Sequence, residues 1–131
     1  MNFLERITER AKADLKTIVL PEGNDPRVVK AASIVLEKGI ANVIIIGNPD
    51  EVRKLAGDSD ISKATIIDPL KSEYFEEYVE TLYELRKEKG MTPEKARETM
   101  KNPLYFGVMM VKKGQADGMV AGAAHSTADT L

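Results

Sequence analysis

Residues 17–49, TIVLPEGNDPRVVKAASIVLEKGIANVIIIGNP, place two β-branched runs on either side of a helical one. TIVL (17–20) is a short strand pattern closed by Pro21. Asp25 then stands as a helix N-cap with Pro26 at the first helical position, and Gly39 is the expected left-handed terminator. NVIII (42–46) is apolar without alternation, as expected of a strand covered on both faces. Asn48 followed by Pro49 repeats the cap-plus-proline signal and opens a second helix. A strand, a crossover helix and a second strand make a parallel pair, and this unit decides the fold class.

The flanking sequence continues the alternation. Upstream, Phe3, Leu4, Ile7, Ala11 and Leu15 recur at helical spacing. Downstream, ATIID (64–68) reads as a third strand, and Ser72 to Gly90 as a helix with Phe75, Tyr78, Leu82 and Leu85 on one face. Thr92-Pro93 and Asn102-Pro103 each announce a shorter helix, before DGMVA (117–121) returns as a strand. The expected fold is therefore α/β, a mostly parallel sheet flanked by helices, with strands near 17–20, 42–46, 64–67 and 117–121. Ligands in such sheets bind beyond the carboxyl ends of the strands.

Composition narrows the chemistry. The 131 residues suit one domain, and a 43% hydrophobic content suffices for a core. Acids and bases nearly balance at a net charge of -2, so no electrostatic footprint points to nucleic acid or to an anionic membrane. The absence of cysteine removes disulfides, thiolate metal sites and a cysteine nucleophile. The opening MNFLERITERAKADLK has no apolar stretch of signal or membrane type, and the chain reads as cytoplasmic.

Three places fall at strand ends. The PEGNDPR turn carries Glu22, Asp25 and Arg27, and capping with a surface ion pair accounts for Asp25. Asp68 closes the third strand, and acids at two strand ends would suit magnesium. Glu22 and Asp25 are not adjacent, however, and the span between the third and fourth strands exceeds what a receiver-type signalling domain needs, so no metal site is expected. The third place is DGMVAGAAHSTADTL (117–131). Gly122, Ala123 and Ala124 allow close backbone approach, while Ser126, Thr127 and Thr130 offer hydroxyls where a following helix would expose free N–H groups. An anion cradle and simple helix capping by Ser126, Thr127 or Asp129 both fit that pattern. His125 is the sole histidine and cannot form a catalytic triad alone. Neither G-x-x-x-x-G-K-[ST] nor G-x-G-x-x-G is present.

The run DGMVAGAAHSTADTL, with ERAKADLKTIVLPEGNDPRVVKAA, ANVIIIGNP, YELRKEKGMTPEKA and PLYFGVMMVKKG, resembles the N-terminal part of the phosphate acetyl/butyryltransferase family. The resemblance covers essentially the whole chain, and Gly122-Ala123-Ala124-His125-Ser126 is its most specific part. It implies reversible acetyl transfer between acetyl phosphate and coenzyme A, a step of acetate metabolism. A second implication is a larger two-domain enzyme, similar to the isocitrate dehydrogenase fold, of which residues 1–131 are most of the first domain and the second domain is absent.

The site residues follow from the resemblance alone. The family's proposed base, an aspartate, and its Ser-Arg pair fall beyond residue 131, so no catalytic residue is assigned in this chain and these residues alone are expected to be inactive. Arg86 matches an arginine expected to hold a coenzyme A phosphate, a role its fork suits. Ser126 and Thr127 match a hydroxyl pair at the acetyl phosphate site, with Thr130 nearby and His125 beside them to orient a hydroxyl or the phosphate. No tightly bound cofactor is implied, coenzyme A being a substrate. The partners implied are small molecules, with neither nucleic acid nor membrane, and the full enzyme is expected to be a homodimer. A phosphate butyryltransferase and a noncatalytic regulatory module of the same family are the alternatives.

Overall fold

Strand β1 (Lys16–Leu20) lies parallel to β2 (Ala41–Ile46), with Lys16 opposite Ala41 and Leu20 opposite Ile45. The computed structural model describes Arg6 and residues 15–121. Two shorter strands, β3 (Thr65–Ile67) and β4 (Gly118–Met119), complete a parallel sheet in the order β3-β2-β1-β4. The connections are helical: α1 (Pro26–Lys38) joins β1 to β2, and α2 (Pro49–Ala56) joins β2 to β3. Between β3 and β4 run α3 (Phe75–Arg86), α4 (Pro93–Met100) and α5 (Pro103–Lys112). The expected α/β class and the four expected strands are all present.

The sheet separates two apolar layers. Val43 and Ile45 face Val29 and Ala32 of α1 and Val52 and Ala56 of α2. Val19, Ile44 and Ile46 face Phe75, Tyr78 and Leu82 of α3, Met100 of α4 and Phe106 of α5. Alternate residues of β2 thus enter opposite layers, which is why its sequence is apolar without a polar stripe. Ile45 and Ile46 are fully buried, each contributing about 1.5–3 kcal/mol of apolar transfer. Burial is thinner at the edges, where Thr65 is exposed and Ile66, Ile67, Gly118 and Met119 are half-buried.

The helix starts follow the cap-plus-proline signals. Asp25 accepts from the Arg27 N–H at 2.9 Å, Asn48 from Asp50 at 2.9 Å, Thr92 from Lys95 at 3.1 Å and Asn102 from Leu104 at 2.9 Å. Gly39 closes α1 at a φ of 64°, the left-handed region where a Cβ is disfavoured.

The expected helix from Ser72 to Gly90 is shorter in the structure. Ser72 is extended, and its Oγ accepts from the Tyr74 N–H at 3.1 Å, so a turn precedes Phe75. Beyond Arg86 the chain tightens into a 3₁₀ turn over Lys87–Lys89 before Gly90. On α3 the buried face is Phe75, Tyr78, Val79 and Leu82, whereas Leu85 is exposed. Strand β4 is narrower than 117–121, although backbone bonds to β1 flank it, from the Asp117 N–H to the Thr17 carbonyl at 2.8 Å and from the Val120 N–H to the Val19 carbonyl at 3.0 Å. Leu15, expected at the end of a helix, lies just before β1 outside any helix; Arg6 is helical, and Phe3, Leu4, Ile7 and Ala11 fall outside the described residues. Among the described residues, no helix is long and apolar enough to cross a membrane.

Candidate functional site

Parallel strands put all four carboxyl ends on one edge of the sheet, and two tight turns form the floor there. After β1 the chain passes through Gly23, whose N–H donates to the Ile46 carbonyl at 3.1 Å. After β2 it passes through Gly47, whose N–H donates to the Ile67 carbonyl at 2.9 Å. The turns are pressed together: a Cβ on Gly23 would lie 2.5 Å from the Ile46 oxygen, and one on Gly47 would lie 3.4 Å from the Gly23 Cα. Only glycine at 23 permits this approach.

A cavity of about 430 Å³ opens on this floor, walled by Glu22, Asn24, Asn48, Glu51 and Asn102 among others. Helices α2 and α5 both start at its rim, Asn48 and Asn102 being their caps. Glu22 is 4% exposed although it carries a carboxylate. Across Asn102 lies a second cavity of about 390 Å³, lined by Leu82, Arg86, Met91, Glu98, Tyr105 and the same Asn102. Arg86 is exposed and has no ion-pair partner among the described residues. The acid that shares its cavity wall, Glu98, is held by Lys101 at 2.8 Å.

Of the three acids weighed for magnesium, Asp25 and Asp68 are engaged as caps. Asp25 is spent on its helix and on Arg27, whose Nε and Nη2 donate at 3.1 and 2.8 Å. The Arg27 guanidinium and backbone N–H hold its carboxyl below the usual carboxylate range. Asp68 accepts from the Leu70 N–H at 3.0 Å, capping a 3₁₀ turn. Among the described residues no three His, Cys, Asp or Glu side chains gather as a metal site. His125, Ser126, Thr127 and Thr130 lie outside the described residues.

A family model described as phosphate acetyl/butaryl transferase matches residues 2–131. The chain belongs to the phosphate acetyl/butyryl transferase family. Within it, the chain is 66% identical over 131 residues to the phosphate acetyltransferase of Acetivibrio thermocellus, covering 100% of itself and 40% of that relative. It is 59% identical to the phosphate acetyltransferase of Thermoanaerobacterium thermosaccharolyticum, again over 100% of itself and 40% of the relative. A phosphotransacetylase from Streptococcus pyogenes superposes with a TM-score of 0.89 at 41% identity, over 99% of this chain and 41% of that one. The chain therefore spans about 40% of the length of these two phosphate acetyltransferases.

Of the residues that the family resemblance singles out, the structure thus displays Arg86 on a cavity wall. It also displays a feature that sequence reasoning passed over, namely Asn102 standing between two cavities. Its Asn-Pro signal was sufficient as a helix start and said nothing of the cavities on either side.

Proposed function

We propose that this protein transfers an acetyl group reversibly between acetyl phosphate and coenzyme A. The observation that carries the reading is identity of 66% along the whole chain to a phosphate acetyltransferase. The free Arg86 guanidinium on an open cavity supports it, since coenzyme A carries several phosphate groups and an arginine fork matches phosphate geometry. In the forward direction the thiol sulfur attacks the acetyl carbonyl, the carbon–oxygen bond to phosphate breaks, and inorganic phosphate leaves. A thiol of pKa about 8.5 needs a base to take its proton near neutrality, and the tetrahedral oxyanion needs preorganised donors. We assign those two duties to residues beyond the 131 of this chain, which on this reading forms most of the first of two α/β domains.

Within the chain, Arg86 holds a coenzyme A phosphate, while Ser126, Thr127 and Thr130 hold the phosphate of acetyl phosphate, with His125 orienting one of them. The enzyme so read is a cytoplasmic homodimer that works on small molecules without a tightly bound cofactor. The test is thioester formation from acetyl phosphate and coenzyme A by the full-length protein, with and without Ser126→Ala. That change should weaken acetyl phosphate use by about 0.5–3 kcal/mol, one hydrogen bond to a charged group, and spare coenzyme A use. A fall in melting temperature with unchanged kinetics would instead make Ser126 a helix cap.

A further inference from the structure

The edge of the sheet opposite the Gly23 and Gly47 turns has a cavity of its own. Helix α1 runs back from the end of β1 to the start of β2, and the loop after α2 leads into β3, so both arrive at the amino edge. Between them opens a space of about 490 Å³, walled by Lys30, Ser33 and Glu37 on one face of α1 and by Asp58, Asp60 and Lys63 of the loop. Lys30, Lys63, Glu37 and Asp58 make no ion pair among the described residues, although cations and carboxylates share this one wall. Asp60 is committed to its own turn, accepting from the Ser62 N–H at 2.9 Å and the Ser62 Oγ at 2.7 Å, and Lys63 acts on it only as a nearby charge. Ser33 is 8% exposed, and its Oγ donates to the Lys30 carbonyl at 2.7 Å, which fixes the hydroxyl and leaves its lone pairs to accept.

A ligand of one sign would meet like charge on part of this wall, and that repulsion offsets its attraction to the rest. A molecule carrying both signs meets an opposite partner for each. We propose that this cavity binds a small zwitterion of the amino-acid type, its carboxylate held by the Lys30 and Lys63 ammonium groups and its own ammonium by Glu37, Asp58 and the Ser33 hydroxyl. The site lies at the opposite edge of the sheet from the acetyl-transfer site and does not depend on that reading. Its charged side chains are exposed, so each contact is weak; binding is expected at about millimolar concentrations and should loosen as salt is added.

The full-length protein would be titrated calorimetrically with glycine, β-alanine, γ-aminobutyrate and 5-aminopentanoate, which step the distance between the two charges. Pentanoate and pentylamine, each with one charge only, complete the set. At least one of the amino acids should saturate a single site, with each one-charge probe bound at least about threefold more weakly. Lys30→Met, Lys63→Met and Asp58→Asn should each raise the Kd of that amino acid about two- to fivefold, while the melting temperature and the KM values for coenzyme A and acetyl phosphate stay as in wild type. Failure of every amino acid to saturate, a one-charge probe that binds as tightly as the amino acids, or undiminished affinity when Lys30→Met and Lys63→Met are combined would each overturn the proposal.

Discussion

Tyr78 is fully buried, stacked 5.9 Å from Tyr74 and tilted against Phe106 at 4.9 Å, yet its hydroxyl has no hydrogen-bond partner among the described residues. The rings repay burial through apolar area and edge contacts, but the unpaired hydroxyl costs about 1–3 kcal/mol. Tyr78→Phe removes that cost without opening a cavity, so the denaturant midpoint should rise, and a fall would show a hydroxyl partner. Burial first, then the charges of Glu77 and Tyr74, push the phenol pKa up to about 12. With the folded pKa above the unfolded value of about 10, the phenol's contribution is complete below pH 10 and is lost as pH rises from about 10 to 12. Stability measured across that window should fall less steeply in Tyr78→Phe than in wild type.

At the scale of elements, α5 is set by a glycine. A Cβ on Gly107 would meet the Met119 Sδ at 2.8 Å, the Val19 Cγ1 at 3.1 Å and the Ile46 Cδ1 at 3.3 Å, so the helix lies directly on β4, β1 and β2. Gly107→Ala gains helix propensity of about 1 kcal/mol but overpacks this contact, at a cost of about 1–3 kcal/mol. Met119 can yield, whereas the two branched side chains beneath are hemmed in by the sheet, so a net loss is expected in thermal melts. An unchanged or higher melting temperature would mean that Met119 absorbs the methyl alone. Because α5 begins at Asn102, the same shift should move the rim of both cavities. From sequence, Gly107 looked like an ordinary helix residue, since spacing cannot reveal what lies under a helix. Its start was legible because Asn102 and Pro103 act locally, and so were those of α1, α2 and α4. The start of α3 was not: Tyr74 makes no side-chain cap, and the stop before Phe75 comes from the Ser72 turn.

For the whole molecule, period and punctuation in the sequence disclosed a parallel sheet between helical layers, but not the strand order. The return of β4 beside β1 depends on how α3, α4 and α5 fill one face, a tertiary matter that no local pattern encodes. Arg86 was legible as a site residue only through family resemblance, being otherwise an exposed helical arginine. What spacing did not foresee is the ion pair between α3 and α4; the pair at the start of α1 was expected. Glu76 of α3 holds Arg97 of α4 through two bonds of 2.7 Å, and Asp25 holds Arg27 where α1 starts. Hydrogen bonds from these arginines lower both carboxyl pKa values, and those from Ser62 lower that of Asp60. In each case the folded pKa lies below the unfolded value of about 4, so the stabilisation is present above pH 4 and is lost as pH falls through the folded pKa. The melting temperature should therefore vary little from these groups between about pH 7 and 5, then drop below about pH 4. Asp25→Asn with Glu76→Gln should lower the plateau and flatten the acid limb, since asparagine still caps α1 but neither side chain changes charge. These pairs are solvent-facing at their arginines, so added salt should flatten the wild-type limb in the same sense. An acid limb equally steep in the double variant would place acid sensitivity in other carboxylates and reduce both pairs to surface contacts.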